Sequence, residues 1–454
     1  MKNIKKVLKS KYLPFVIMAI ILLVIHYPIN KKVDDLWFEN ILDNQGIFNF
    51  LILRYNEWSS RLIIEAILVV LSNTNVNILF WKIIDILMFE LLAYSIYYLF
   101  IKEQENKNEL TWVLIFQVLI IPFSALYSAG WIATTTNYLW PLSLGMYVFT
   151  LIKKNLYSVN IKWYETILYI LATLYATNQE QMVAIIFGTY TMYFLYNILI
   201  KKTKLLLNKT TIIVYLISIV SLTFILTCPG NQVRNIQETE KWYPIYADYG
   251  IISKIELGIT SMMKYLIIDG RCFFIVFSLT IAYCVLKTNK NIISIIFGIV
   301  PLVGATLTNI LSGVLTNIFP NINYLFELYS KKELIINVNN NTQLEIYIPM
   351  ILYLLILISI VIDLYLIFKN TNKGRLTIFI FMVGLASRLI IGFSPTVFAS
   401  SERTSVFFYY SLIIIEILIL TEIINNKRTE LKIESNKIEA ITVLASIFNI
   451  LNYL

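Results

Sequence analysis

Residues 346–368 read IYIPMILYLLILISIVIDLYLIF, 23 residues with a single charge at Asp363, and the run stops at Lys369. At 1.5 Å per residue a helix of that length reaches about 35 Å, enough to cross the ~30 Å hydrocarbon core of a bilayer. Eleven other runs end in the same way: 13–29, 78–101, 110–128, 138–152, 163–177, 181–200, 210–228, 272–286, 291–316, 376–394 and 405–424. Two of them, 138–152 and 272–286, must extend into their flanks to span. Residues 62–71 are apolar too, but Ser72-Asn73-Thr74-Asn75 stops them after ten residues, a length that suits an interfacial or re-entrant helix.

Composition agrees with that reading. Of 454 residues 58% are hydrophobic and only 14% charged, with a mean hydropathy of +0.71, whereas a soluble domain carries about 25% charge. The fold class is therefore all-α, a polytopic membrane protein of about 12 transmembrane helices (range 10–13). Residues 1–424 form one transmembrane domain with outer loops 31–61, 229–258 and 317–345. Residues 425–454 form a cytoplasmic tail whose apolar end, Ile441 to Leu454, lies on the inner membrane surface. Five lysines precede the first run and no small-residue cleavage site follows it, so that run is an uncleaved span.

Twelve crossings put both termini on one side, and the basic residues say which. Of the 37 Lys and Arg, 23 fall in the cytoplasmic segments, 12 in the outer ones, and two (Lys82, Arg388) within spans. The charge of +9 is dispersed over short connectors, which excludes a nucleic-acid surface. Three cysteines without CxxC spacing and a single histidine, His26, exclude a disulfide scaffold and a His/Cys metal site. Asn, Ile and Lys are abundant, the mark of an AT-rich bacterial genome, which places the chain in a bacterial cytoplasmic membrane. Arginine is scarce, yet five of the eight (Arg54, Arg61, Arg234, Arg271, Arg403) fall outside. Lysine alone satisfies the insertion rule. Arginine adds a planar fork that grips phosphate, so an anionic ligand at the outer leaflet is expected.

The outer segments carry the polar chemistry. Asp34-Asp35 open the first loop, where adjacent acids serve as a general base or as ligands of a divalent cation. The same loop continues through Trp58 and Ser59-Ser60 to Arg61, an aromatic and amphipathic stretch suited to sugar or headgroup contact. Asn137, in the Thr134-Thr135-Thr136 turn, is placed to hydrogen-bond a polar ligand. Glu180 is held near the membrane boundary between two runs, where an acid marks a site. Pro229-Gly230-Asn231 reads as a tight turn, with Arg234 above an anion held by it. Glu402 and Arg403 precede the last span. Within the spans, Lys82 and Asp85 at i, i+3 read as an intrahelical pair.

Asp34-Asp35, the turn Asn137 to Pro141, Asn178 to Glu180, Pro229-Gly230-Asn231 with Arg234, and Ser401 to Arg403 together resemble a group of bacterial polytopic membrane proteins related to the GT-C superfamily of membrane glycosyltransferases. The resemblance implies transfer of a sugar from a polyprenyl-phosphate carrier to an envelope glycan acceptor outside the cell. An acid of the first outer loop, Asp34 or Asp35, would be the base or metal ligand, and Arg234 and Arg403 would contact the carrier phosphate. The chain lacks the soluble outer domain of better-studied members. Two other functions fit the same features: a polymerase or ligase of lipid-linked oligosaccharides, and a transporter or flippase without chemistry. The last needs polar residues at the bilayer midplane, and the richest polar clusters here are at the outer mouth.

The topology has a direct test. Cysteines introduced into loop 229–258 should react with an impermeant maleimide on intact cells, and reaction only after permeabilisation would invert the assignment.

Overall fold

The computed structural model describes residues 12–201, 208–268, 271–309, 311–318, 320, 327–328, 333–337, 339–425 and 429–454. The N-terminal lysines and parts of loop 317–345 lie outside the described residues. What is described is helical, with one isolated bridge between Ser128 and Gly130. Among the described residues six helices are long and apolar enough to cross a membrane: Ile78–Ile101, Glu180–Leu199, Lys209–Thr227, Leu344–Phe368, Asn372–Phe393 and Ser401–Ile424. Two bent pairs, Ile251–Ile267 with Cys272–Thr288 and Ile292–Thr308 with Ser312–Ile318, raise the number to eight if each pair is one span.

The remaining apolar runs form shorter helices, for visible reasons. The first run is helical over Leu13–His26, 14 residues, or about 21 Å. The run at 110–128 breaks after Leu119, ahead of Pro122, whose ring cannot continue a helix. The run at 163–177 gives the 14-residue helix Trp163–Ala176.

The described chain gathers into two compact units, residues 1–102 with 126–241, and residues 103–125 with 242–454. In the first unit the lone histidine is structural. His26 lies at the end of Leu13–His26, with Nδ1 donating to the Leu22 carbonyl (2.8 Å) and Nε2 2.9 Å from Asp85 Oδ2. Trp140 Nε1 donates to the other carboxyl oxygen at 2.6 Å, and Trp81, Phe89 and Trp131 surround the imidazole. The expected Lys82–Asp85 pair does not form. Lys82 Nζ instead donates to the Tyr27 carbonyl, at 2.9 Å, because Asp85 points into the protein while Lys82 runs along its surface.

In the second unit the C-terminal segment is a packed element. The helix Thr429–Tyr453 lies along Lys107–Leu119. Ser446 Oγ donates to Phe116 O (2.7 Å), Gln117 Nε2 to Thr442 Oγ1 (3.3 Å), and Asn449 Nδ2 to Leu119 O (3.0 Å) and Ile121 O (2.7 Å). Leu444, Phe448 and Leu451 remain exposed on it. Thr442, Ser446 and Asn449 thus spend their polar groups on the protein, while these apolar side chains stay uncovered. In the same unit Arg388, fully buried, donates from Nε to Ser405 Oγ (3.1 Å) beneath the Tyr265 ring.

Removing one partner of a buried, hydrogen-bonded pair costs about 3–5 kcal/mol, more than replacing both. Asp85→Leu should therefore lower the unfolding free energy in nanodiscs by about that amount, and His26→Leu added to it should recover part of the loss. A single variant as stable as wild type would contradict the pairing.

Candidate functional site

Between the helices Ile47–Glu57 and Leu62–Ser72 runs the link Trp58-Ser59-Ser60-Arg61. The start of the second helix has backbone N–H groups with no partner in its own turn, and no local side chain caps it. Asn178, distant in sequence, supplies the cap. Its Oδ1 accepts from the N–H groups of Ile63 and Ile64, both at 3.0 Å, and its Nδ2 donates to Ser60 O at 3.2 Å. Asn231 holds the other side: Oδ1 accepts from Ser60 N–H (3.2 Å), and Nδ2 donates to Ser60 Oγ (3.1 Å) and Ile225 O (2.9 Å). Ser59 and Ser60 are buried in this grip.

Asn231 reaches Ser60 because Gly230 lacks a side chain. A Cβ there would stand 2.6 Å from Trp58 N and from Tyr55 O, so only glycine lets the two segments approach. The expected Pro229-Gly230-Asn231 turn is instead the first turn of a helix, Pro229–Trp242. Proline is suited to that position, since its missing N–H would be unpaired there anyway. The helix carries Arg234 over the Trp58 ring, 5.6 Å from its centroid.

Arg61 leaves the link into a ring of polar partners. It meets Glu180 through Nε (2.7 and 3.0 Å to the two oxygens) and through a terminal nitrogen at 2.6 Å. It also donates to Asn137 Oδ1 at 2.8 Å and stands 5.8 Å over the Tyr138 ring. Burial works against its charge, but the Glu180 carboxylate more than offsets this, and its pKa ends above the ordinary guanidinium value. Arg234 moves the other way. Burial first, then the positive charge of Arg61, push it down, and the carboxylates of Glu180 and Glu238 restore only part. Its guanidinium makes no hydrogen bond or ion pair to a described residue. The site thus holds one balanced arginine and one that is not.

The paired acids have separate fates. Val33, at φ 52°, turns the chain so that Asp34 opens a short helix, Asp34–Glu39. Asp34 is exposed. Asp35 is fully buried, with Oδ1 accepting from Ala133 N–H (2.8 Å) and Oδ2 from Lys32 N–H (3.3 Å). It fits under Gly130, whose φ of 97° and missing Cβ leave room for the carboxyl. Asn137 Nδ2 donates to the carbonyl of the same Ala133 at 2.8 Å, so Asp35 and Asn137 hold one residue from opposite sides. Among the described residues no group of three His, Cys, Asp or Glu side chains could hold a metal. With Asp35 occupied by backbone N–H donors, the Asp34-Asp35 pair does not fit a divalent cation.

Of the residues singled out in the sequence, Arg61, Asn137, Glu180, Asn231 and Arg234 come together in the first unit. Asp35 joins them through Ala133, and Asp34 lies at the end of that chain. Glu402 and Arg403 belong to the second unit. There Glu402 accepts from Ser124 Oγ and, at 3.0 Å, from Tyr409 OH, while the Arg403 carbonyl accepts from Val406 N–H and its guanidinium makes no hydrogen bond or ion pair to a described residue. From sequence, Trp58 belongs to a stretch suited to sugar or headgroup contact and Asn178 has no separate role. A pair of asparagines at the ends of apolar runs was the available signal for the clamp. Compared with protein-family models, with curated proteins and with solved structures, the chain matches none.

Burial of Asp35 raises its pKa to about 6, against the backbone hydrogen bonds that lower it. Because the folded value is raised, its contribution to stability is whole below the unfolded value of about 4 and is lost as pH climbs through about 6. Infrared difference spectra of wild type against Asp35→Asn should show a protonated-carboxyl band vanishing with a midpoint near 6. A midpoint at the ordinary carboxylate value would contradict the burial described here.

Proposed function

We propose that this chain is a glycosyltransferase of the bacterial cytoplasmic membrane, GT-C-like with about twelve crossings, that moves a sugar from an undecaprenyl-phosphate-linked donor to an envelope glycan or lipid on the outer face. The observation that supports this most is Arg234, a partly buried guanidinium without an ion pair to a described residue, beside an Arg61–Glu180 pair that is already balanced. A partly buried cation in that state is stabilised by an incoming anion. A polyprenyl phosphate is an anion whose tail stays in the bilayer, which accounts for a phosphate site at the polar end of a membrane protein.

The chemistry then distributes over the chain. Asp34, the exposed acid of the pair, takes the proton from the acceptor hydroxyl. The acceptor oxygen attacks the anomeric carbon, the bond from that carbon to the phosphate oxygen breaks, and the electron pair leaves on the polyprenyl phosphate. Arg234 stabilises the departing anion. Asp35 is a positioning residue, fixing Ala133 and through it Asn137. Glu180 is another, since its carboxylate is taken up by Arg61. No step is routed through a metal.

The assay is transfer of labelled sugar from undecaprenyl-phosphate donor in membranes holding equal amounts of each variant. Asp34→Asn should lower turnover by a factor on the order of 100 to 10,000, the usual worth of general-base catalysis. Arg234→Lys keeps the charge and loses the fork, so it should raise KM for the donor as well as lower kcat. Wild-type rates in Asp34→Asn would place the base elsewhere, and no transfer by purified wild-type protein from such donors would overturn the function.

A further inference from the structure

Beside the Arg61–Arg234 cluster, and separate from it, the first unit carries a cleft of about 410 Å³, within the range of about 300–1,000 Å³ usual for small-molecule sites. Its walls combine Trp37 and Trp58 with the amides of Asn40, Gln45 and Gln237 and the carboxylate of Glu57. Arg54 fixes the aromatic wall, with its guanidinium 5.5 Å from the Trp37 centroid, 5.8 Å from Phe50 and 5.2 Å from Trp58. Arg54 is itself held by a two-pronged pair with Glu65, so it brings no net charge to the cleft.

What is left open determines the ligand class. Trp37 is 57% exposed, an indole in a polar cleft, which in water alone is an unfavourable place for so large an apolar surface. The side-chain amides of Asn40, Gln45 and Gln237 make no hydrogen bond to a described residue. Each amide both donates and accepts, the pattern that matches a hydroxyl, which also does both. The one unbalanced charge among the lining residues is Glu57, which repels an anion and accepts from a hydroxyl. Flat aromatic surface for the C–H face of a pyranose, ringed by amides and a carboxylate, suits a neutral polyhydroxylated ring and disfavours a phosphate.

We infer that this cleft binds a neutral saccharide, and that it is the acceptor's subsite. The second half of that statement rests on the transferase reading, while the first does not. Trp58 ties the two places together, since Arg54 and Arg234 both lie against its ring. A saccharide on the Trp37 side therefore comes within one indole of the arginine assigned to the donor phosphate.

The test is saturation-transfer NMR on the full chain in nanodiscs, with maltotetraose, cellotetraose and chitotetraose as probes. At least one should receive saturation at its pyranose protons. Trp37→Ala should cut the effect at least fivefold, and Trp37→Phe should retain most of it. Trp37 is mostly exposed, so these variants should fold, which an unchanged thermal midpoint would verify. No saturation for any of the three probes, or an effect indifferent to Trp37→Ala, overturns the proposal. Trp37-dependent binding in a protein that transfers no sugar would keep the saccharide site and refute the transferase. Transfer that proceeds with a Trp37-independent acceptor would do the reverse.

Discussion

The start of a helix has N–H groups that must find acceptors, since its own turn supplies none. At Leu62 the acceptor comes from Asn178, and the preceding carbonyl of Ser60 is taken by the same amide. That requirement brings the loop before Glu180 against the loop before Arg61. Once it is met, the Arg61–Glu180 pair follows almost without choice, and Asn137 fills the remaining side of the guanidinium. Asn231 adds a second amide to the same serine, and with it the helix that carries Arg234. Two asparagines thus assemble a charged site by satisfying backbone.

The three arginines of the first unit show how context separates identical side chains. Arg54 is enclosed by rings and paired with Glu65; Arg61 is paired with Glu180; Arg234 rests on Trp58 with no ion pair to a described residue. An arginine in a bidentate pair is close to neutral for a passing ligand, whereas one held only by a ring keeps its donors for use. Counting outer arginines treats all three as equivalent, and the count alone therefore overstates the positive charge on this face.

The helical, membrane-crossing character was legible because it rests on length and apolarity alone. So were the polar residues of the site, since amides and charges at the ends of apolar runs stand out. Their partners were not legible. Spacing suggested Lys82 with Asp85, but which way each side chain leaves its helix depends on neighbours, and His26 and Trp140 claim the carboxylate. Pro229-Gly230 reads equally as a turn or as a helix start, and the decision lies in how closely Trp58 and Tyr55 approach. Asp34 and Asp35 are indistinguishable in sequence. They part because Gly130, almost a hundred positions later, has the one backbone geometry under which a carboxyl fits.

The pairing of Lys107–Leu119 with the C-terminal helix bears on how the chain is made. Asn449 reaches the Leu119 and Ile121 carbonyls across about 330 positions of sequence. At roughly 5–20 residues per second, the ribosome takes tens of seconds to deliver that amide after the carbonyls have left it. The first unit's residues are complete by then, because residues 126–241 are synthesised in the interval. Biogenesis is therefore staggered: one half of the protein can close while a helix threaded through its sequence waits for the last stretch of the message.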